Sequence, residues 1–96
     1  MLILITYDVN TESESGKKRL RRVAKTCLKY GQRVQNSVFE CVLDASQYLT
    51  VKAELTDLID VELDSVRFYR LGNNYKSQVE HLGKSMDFPQ DGLLLL

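Results

Sequence analysis

The chain predicts an α+β domain, and three observations carry that prediction. Leu2 to Val9 is a continuous apolar and β-branched run, the signature of a strand. Two later segments repeat apolar residues at helical spacing, and two others alternate with the period of two that a strand requires. With 96 residues, 44% of them hydrophobic and 27% charged, the chain has the size and composition of a single folded domain. So small a core buries only roughly 60 to 68% of the surface the unfolded chain exposes, so self-association would add stability.

The first strand, LILITYDV, ends in polar NTESESG, and its unbroken apolar character predicts a central strand buried on both faces. Leu20, Val23, Ala24, Cys27 and Leu28 then fall at i, i+3, i+4, i+7 and i+8, the stripe of an amphipathic helix closed by Gly31. Lys18, Arg22, Lys25 and Lys29 lie opposite that stripe. RVQNSVFECVL, residues 33 to 43, reads as two short strands separated by a tight polar break at Gln35, Asn36 and Ser37. Asp44 or Ser46 can cap a second helix with a stripe of Tyr48, Val51, Leu55, Leu58 and Ile59. SVRFYRL, residues 65 to 71, is a strand with Val66, Phe68 and Arg70 on one side and Arg67, Tyr69 and Leu71 on the other. Gly72, Asn73 and Asn74 make a turn.

The order strand, helix, strand, strand, helix, strand is the ferredoxin-like βαββαβ arrangement, an antiparallel sheet with both helices on one face. Residues 1–82 are expected to form this domain, with 83–96 as a loosely held tail. The helix-free sheet face predicts a C2 homodimer, in which an edge strand at Lys76 to Leu82 joins a partner's sheet.

Thirteen basic residues balance thirteen acidic ones, yet the two signs are segregated. Lys17 to Arg33 holds eight cations and no acid, whereas Glu40 to Asp64 holds seven acids against Lys52 alone. Such a block can give a neutral protein one strongly positive face. MLILIT is too short for a secretory signal, and no run approaches the roughly 18 to 20 apolar residues of a membrane-spanning helix. Cys27 and Cys41 lie in apolar patterns without metal-ligand spacing, which predicts buried thiols in a reducing, cytoplasmic setting. The glycines form neither a Walker A loop nor a dinucleotide fingerprint, RNP1-type aromatics are missing, and His81 has no triad-like company.

Asp8 is the main candidate for chemistry, because an ionised carboxylate where a central strand leaves the sheet must be paired, hydrated or metal-bound. It either caps the following loop, pairs with a cation such as Arg33, or holds a divalent ion. Mg²⁺ commonly takes only one or two carboxylates and completes its shell with water and phosphate, so two Asp8 side chains near a dimer axis could share a site. Tyr7 points to the other face and is read as core or interface. Arg33 can hold a phosphate or form an ion pair; Ser37 can contact a phosphate or satisfy turn backbone. Phe39 belongs to the apolar face of its strand.

ITYDV at 5–9, GQRVQNSVFECVL at 31–43 and SVRFYRLG at 65–72 resemble the CRISPR-associated protein 2 family, in the variant found with subtype I-C systems, over about Met1 to His81. The resemblance implies a ferredoxin-like homodimer that takes part in spacer acquisition by bridging two dimers of the CRISPR integrase. It also implies a Mg²⁺-dependent endonuclease, with Mn²⁺ as a substitute, acting on double-stranded DNA or single-stranded RNA. Asp8 maps to the family's metal ligand, Arg33 to its functional arginine, and Ser37 and Phe39 to its SVF motif. GKKRLRR retains the charge of early-helix arginines found in some relatives, without assigning separate roles to Lys17, Arg19 and Arg21. Lys18, Arg19, Arg22, Lys25, Arg33 and Ser37 are therefore the expected nucleic-acid contacts, and a non-catalytic DNA-bridging subunit is the alternative function.

Overall fold

A computed structural model describes residues 1–71 and 79–83. Its elements run β1 (Leu2–Asp8), α1 (Glu14–Tyr30), β2 (Gly31–Gln35), β3 (Val38–Val42), α2 (Ala45–Leu58), β4 (Ser65–Leu71) and β5 (Val79–Gly83). All strands are antiparallel neighbours in the order β2-β3-β1-β4-β5. β1 is thus central, and this is the ferredoxin-like α+β fold.

Local chemistry sets the helix ends. Ser13 accepts a hydrogen bond from the Gly16 backbone N–H at 3.0 Å and caps α1. Asp44 and Gln47 form a reciprocal capping box at 2.7 and 2.9 Å that starts α2. Gly31 does close α1, for a reason other than left-handed backbone: its φ of −167° is extended. A Cβ there would lie 2.2 Å from the Glu40 carbonyl oxygen and 2.5 Å from Cys41 Sγ, so glycine allows β2 to leave the helix directly against β3.

Ile3, Ile5 and Tyr7 of β1 share one sheet face with Phe39 and Cys41 of β3 and Val66 and Phe68 of β4. Val23 and Cys27 of α1 and Val51 and Leu55 of α2 close over them, and all are buried. Burial of these side chains is the main force holding the layers together, at about 1.5 to 3 kcal/mol for each large one. Tyr48 meets Phe68 edge-on, with ring centroids 5.7 Å apart.

Two predictions change here. β1 is buried on one face only, with Leu2, Leu4 and Thr6 half-buried, because the helices cover a single side of the sheet. On α1, Leu28 is 55% exposed while Thr26 is buried, so the contact stripe is centred on Val23, Thr26 and Cys27. β5 pairs with β4, Tyr69 opposite Val79 and Ser65 opposite Gly83, and residues 76–78 of the expected edge strand lie outside the described residues. The turn at 72–74 and the tail at 84–96 lie outside the described residues.

Candidate functional site

The Asp8 side chain emerges at the last position of β1, exposed, on the face opposite Tyr7. Backbone register places Ser65 across from Asp8 and Arg67 across from Thr6. Arg67 therefore shares the face of Asp8 as its diagonal cross-strand neighbour, within reach of a long side chain. Alternation in SVRFYRL already puts Arg67 with Tyr69, but its nearness to Asp8 needs the β1–β4 register, which periodicity does not supply.

Two of the roles open to Asp8 are filled otherwise. The loop after β1 is capped by Asn10, whose Oδ1 accepts from the Glu12 N–H at 3.0 Å, and by Ser13. Arg33 pairs in register with Phe39, which pairs with Ile5, so Arg33 stands on the helix-covered face, away from Asp8. Its guanidinium lies over the Phe39 ring, 5.1 Å from the centroid. Tyr7 stacks on Phe39 with centroids 6.0 Å apart and donates from its hydroxyl to the Asn36 carbonyl at 3.4 Å. Burial raises the Tyr7 pKa, and the adjacent Arg33 offsets part of that rise. The Tyr7 N–H donates to the Ser37 carbonyl at 3.1 Å, which ties the β2–β3 turn to the end of β1. Tyr7, Arg33, Ser37 and Phe39 thus form one cluster, and Asp8 is on the far side of the strand from it.

The cations of α1 divide. Lys18, Arg22 and Lys25 are exposed on its outer face. That face looks away from the sheet, in the direction opposite to Asp8, so one chain does not bring these cations to the carboxylate. Arg19 turns inward: its Nε donates to Asp64 Oδ2 at 2.8 Å and its Nη2 to Asp64 Oδ1 at 3.4 Å. Asp64 is fully buried, the one member of the acidic block to be so, and it also accepts from the backbone N–H groups of Asn10 and Asp60 at 3.0 and 2.9 Å. Burial pushes its carboxyl pKa up, but Arg19 and the two backbone donors outweigh that and hold it below the usual carboxylate range. Sequence gave no sign of this role, because Asp64 reads as the last acid of a solvated run.

Burial raises Cys27 to about 12 and Cys41 to about 11, so neither thiol is a ready nucleophile. Among the described residues no three His, Cys, Asp or Glu side chains gather as a metal cluster. No helix among them is long and apolar enough to cross a membrane.

Fold and site together define a small ferredoxin-like protein with a single exposed carboxylate at the end of its central strand. Residues 1–79 match the family described as CRISPR associated protein Cas2, and the chain belongs to that family. It is 68% identical over 83 residues to the CRISPR-associated endonuclease Cas2 of Halalkalibacterium halodurans, covering 86% of each chain. To the CRISPR-associated endoribonuclease Cas2 of Chlorobaculum tepidum it is 52% identical over the full length of both. The crystal structure of Streptococcus pyogenes Cas2 at pH 6.5 superposes with a TM-score of 0.71 at 57% identity, covering 86% of this chain and 100% of that one.

Proposed function

We propose that this chain is a CRISPR adaptation nuclease that hydrolyses phosphodiester bonds as a homodimer, with Asp8 holding a divalent metal ion. One observation carries the reading: Asp8 is exposed where the central strand ends and, among the described residues, makes no ion pair. The helix-free face supplies a reason to dimerise, since Val42 is 77% and Leu71 38% exposed on it. Nuclease names on relatives 68% and 52% identical support the activity.

One carboxylate per chain suits the oxygen chemistry of Mg²⁺, or of Mn²⁺ in its place, because such ions retain several waters and take only one or two carboxylates. Bound there, the ion would polarise the scissile phosphate and lower the pKa of a coordinated water. Asp8 presents its carboxylate at the β1 terminus, and Arg67 on the same face can neutralise a neighbouring phosphate. Lys18, Arg22 and Lys25 grip the sugar-phosphate backbone without reading sequence, which fits DNA or RNA alike.

The opposed directions of Asp8 and the α1 cations favour a second reading. In it the outer faces of a dimer hold duplex DNA for the CRISPR integrase, and cleavage is not the task. Cleavage of matched duplex DNA and single-stranded RNA, with and without Mg²⁺, separates the two. Asp8→Ala is expected to fall below about 1% of the parent's metal-dependent rate while remaining dimeric. Full metal-dependent cleavage by that variant overturns the metal role of Asp8, whereas a parent that cleaves neither substrate with Mg²⁺ overturns the nuclease reading and leaves the bridging one.

A further inference from the structure

We infer that Asp64, gripped by Arg19, is a positioning residue that aims the Asp8 carboxylate by locking the peptide of Asn10, two residues beyond it. This inference rests on Asp8 as the metal-holding residue.

Four donors converge on the buried Asp64 carboxylate: Asn10 N, Asp60 N and two nitrogens of Arg19. They arrive from the β1 exit, the α2–β4 connection and α1, so one side chain fixes the relative placement of three segments. A carboxylate so satisfied has no lone pair left to move towards, and the geometry is rigid. The next peptide, Asn10–Thr11, is confined as well. A Cβ on Gly16 would lie 2.0 Å from the Asn10 carbonyl oxygen, so α1 packs directly on that peptide. The far end of β5 seats on Asp64 itself: Gly83, at φ +94°, leaves room where a Cβ would lie 2.1 Å from the Asp64 carbonyl oxygen. Asp8 itself has no side-chain tether among the described residues, and its direction is set by the backbone on either side of it. Ladder pairing with Ser65 holds it from β4, and the Asn10 lock holds it from the loop.

Arg19 therefore differs in role from the other cations of its block. Arg19 is 15% exposed at the side chain and committed to Asp64. Removing it should loosen the aim of Asp8 rather than weaken the grip on nucleic acid.

The test uses the full chain with Arg19→Gln, Gly16→Ala, Arg22→Gln and Asp8→Ala, each confirmed as folded by far-UV circular dichroism. Amide exchange at Asn10, Mn²⁺ affinity by electron paramagnetic resonance, and kcat and KM for metal-dependent cleavage are measured. Arg19→Gln and Gly16→Ala act on the two peptides that flank the Asn10 Cα. Both should speed Asn10 exchange and weaken Mn²⁺ binding about tenfold, lowering kcat with little change in KM. Arg22→Gln should raise KM and leave the Asn10 amide protected. Parent-like Asn10 exchange or Mn²⁺ affinity in both Arg19→Gln and Gly16→Ala, with Asp8→Ala unable to bind Mn²⁺, overturns the positioning role alone. Undiminished Mn²⁺ binding by Asp8→Ala overturns the metal role of Asp8, and the positioning role with it.

Discussion

Arg19 and Arg22 stand three residues apart on α1, in a block of like charge, and the fold gives them opposite work. Arg19 reaches inward to a fully buried carboxylate, whereas Arg22 stays in water with Lys18 and Lys25. The difference is made by position around the helix. Residues next to the contact stripe of Val23, Thr26 and Cys27 can snorkel to the layer below, and residues opposite it cannot. A charged run is thus two populations: one set that the fold consumes, and one that remains available to a polyanion.

The sharpest way to break this comparison is Asp64→Asn. Loss of the carboxylate leaves Arg19 and two backbone donors poorly matched in a buried site, and the expected destabilisation is about 3 kcal/mol in urea unfolding at neutral pH. The pH dependence follows from the depressed folded pKa. Stability from Asp64 is complete above the ordinary carboxylate range and is lost as pH falls through the lowered folded value. The parent should therefore lose more stability than Asp64→Asn between neutral and strongly acidic pH; parallel acid limbs would show that Asp64 is not the group responsible.

On the exposed side, neutralising Lys18, Arg22 and Lys25 together should leave urea unfolding nearly unchanged. It should weaken duplex binding and flatten the slope of log affinity against log salt by about 0.9 per lost phosphate contact. An unchanged slope would mean that the outer face of α1 does not meet the phosphates. The smallest effect is expected for the exposed cross-link between the helices, where Lys29 Nζ lies 2.7 Å from Glu54 and the Tyr30 hydroxyl donates to the same carboxylate. Glu54→Gln should shift Tm by less than about 2 °C, in contrast to Asp64→Asn, because solvent screens an open pair.

Most of the fold was legible from residue pattern. The break between two short strands, which falls at Asn36 and Ser37 with Gln35 closing β2, the α2 cap, Asp44 of the two candidates Asp44 and Ser46, and the alternation of SVRFYRL each depend on neighbours a few residues away. Asp8 was legible as a site for the same reason, since an acid at the end of an apolar run stands out locally. Arg19 was grouped with the nucleic-acid contacts because its neighbours in sequence are cations, and its partner lies 45 positions away. The separation of Arg33 from Asp8 was likewise invisible, because two residues at strand ends share or do not share a face only once the register is known.

By itself, then, the sequence determined the elements, the family and the acid closing β1, all of which follow from short-range periodicity and side-chain chemistry. Tertiary structure alone decided which cation is consumed by Asp64, that Arg67 rather than Arg33 accompanies Asp8, and which residues of β4 and β5 face each other. Those outcomes are set by strand register and by the angle at which a helix meets the sheet, quantities that depend on the whole packed core at once.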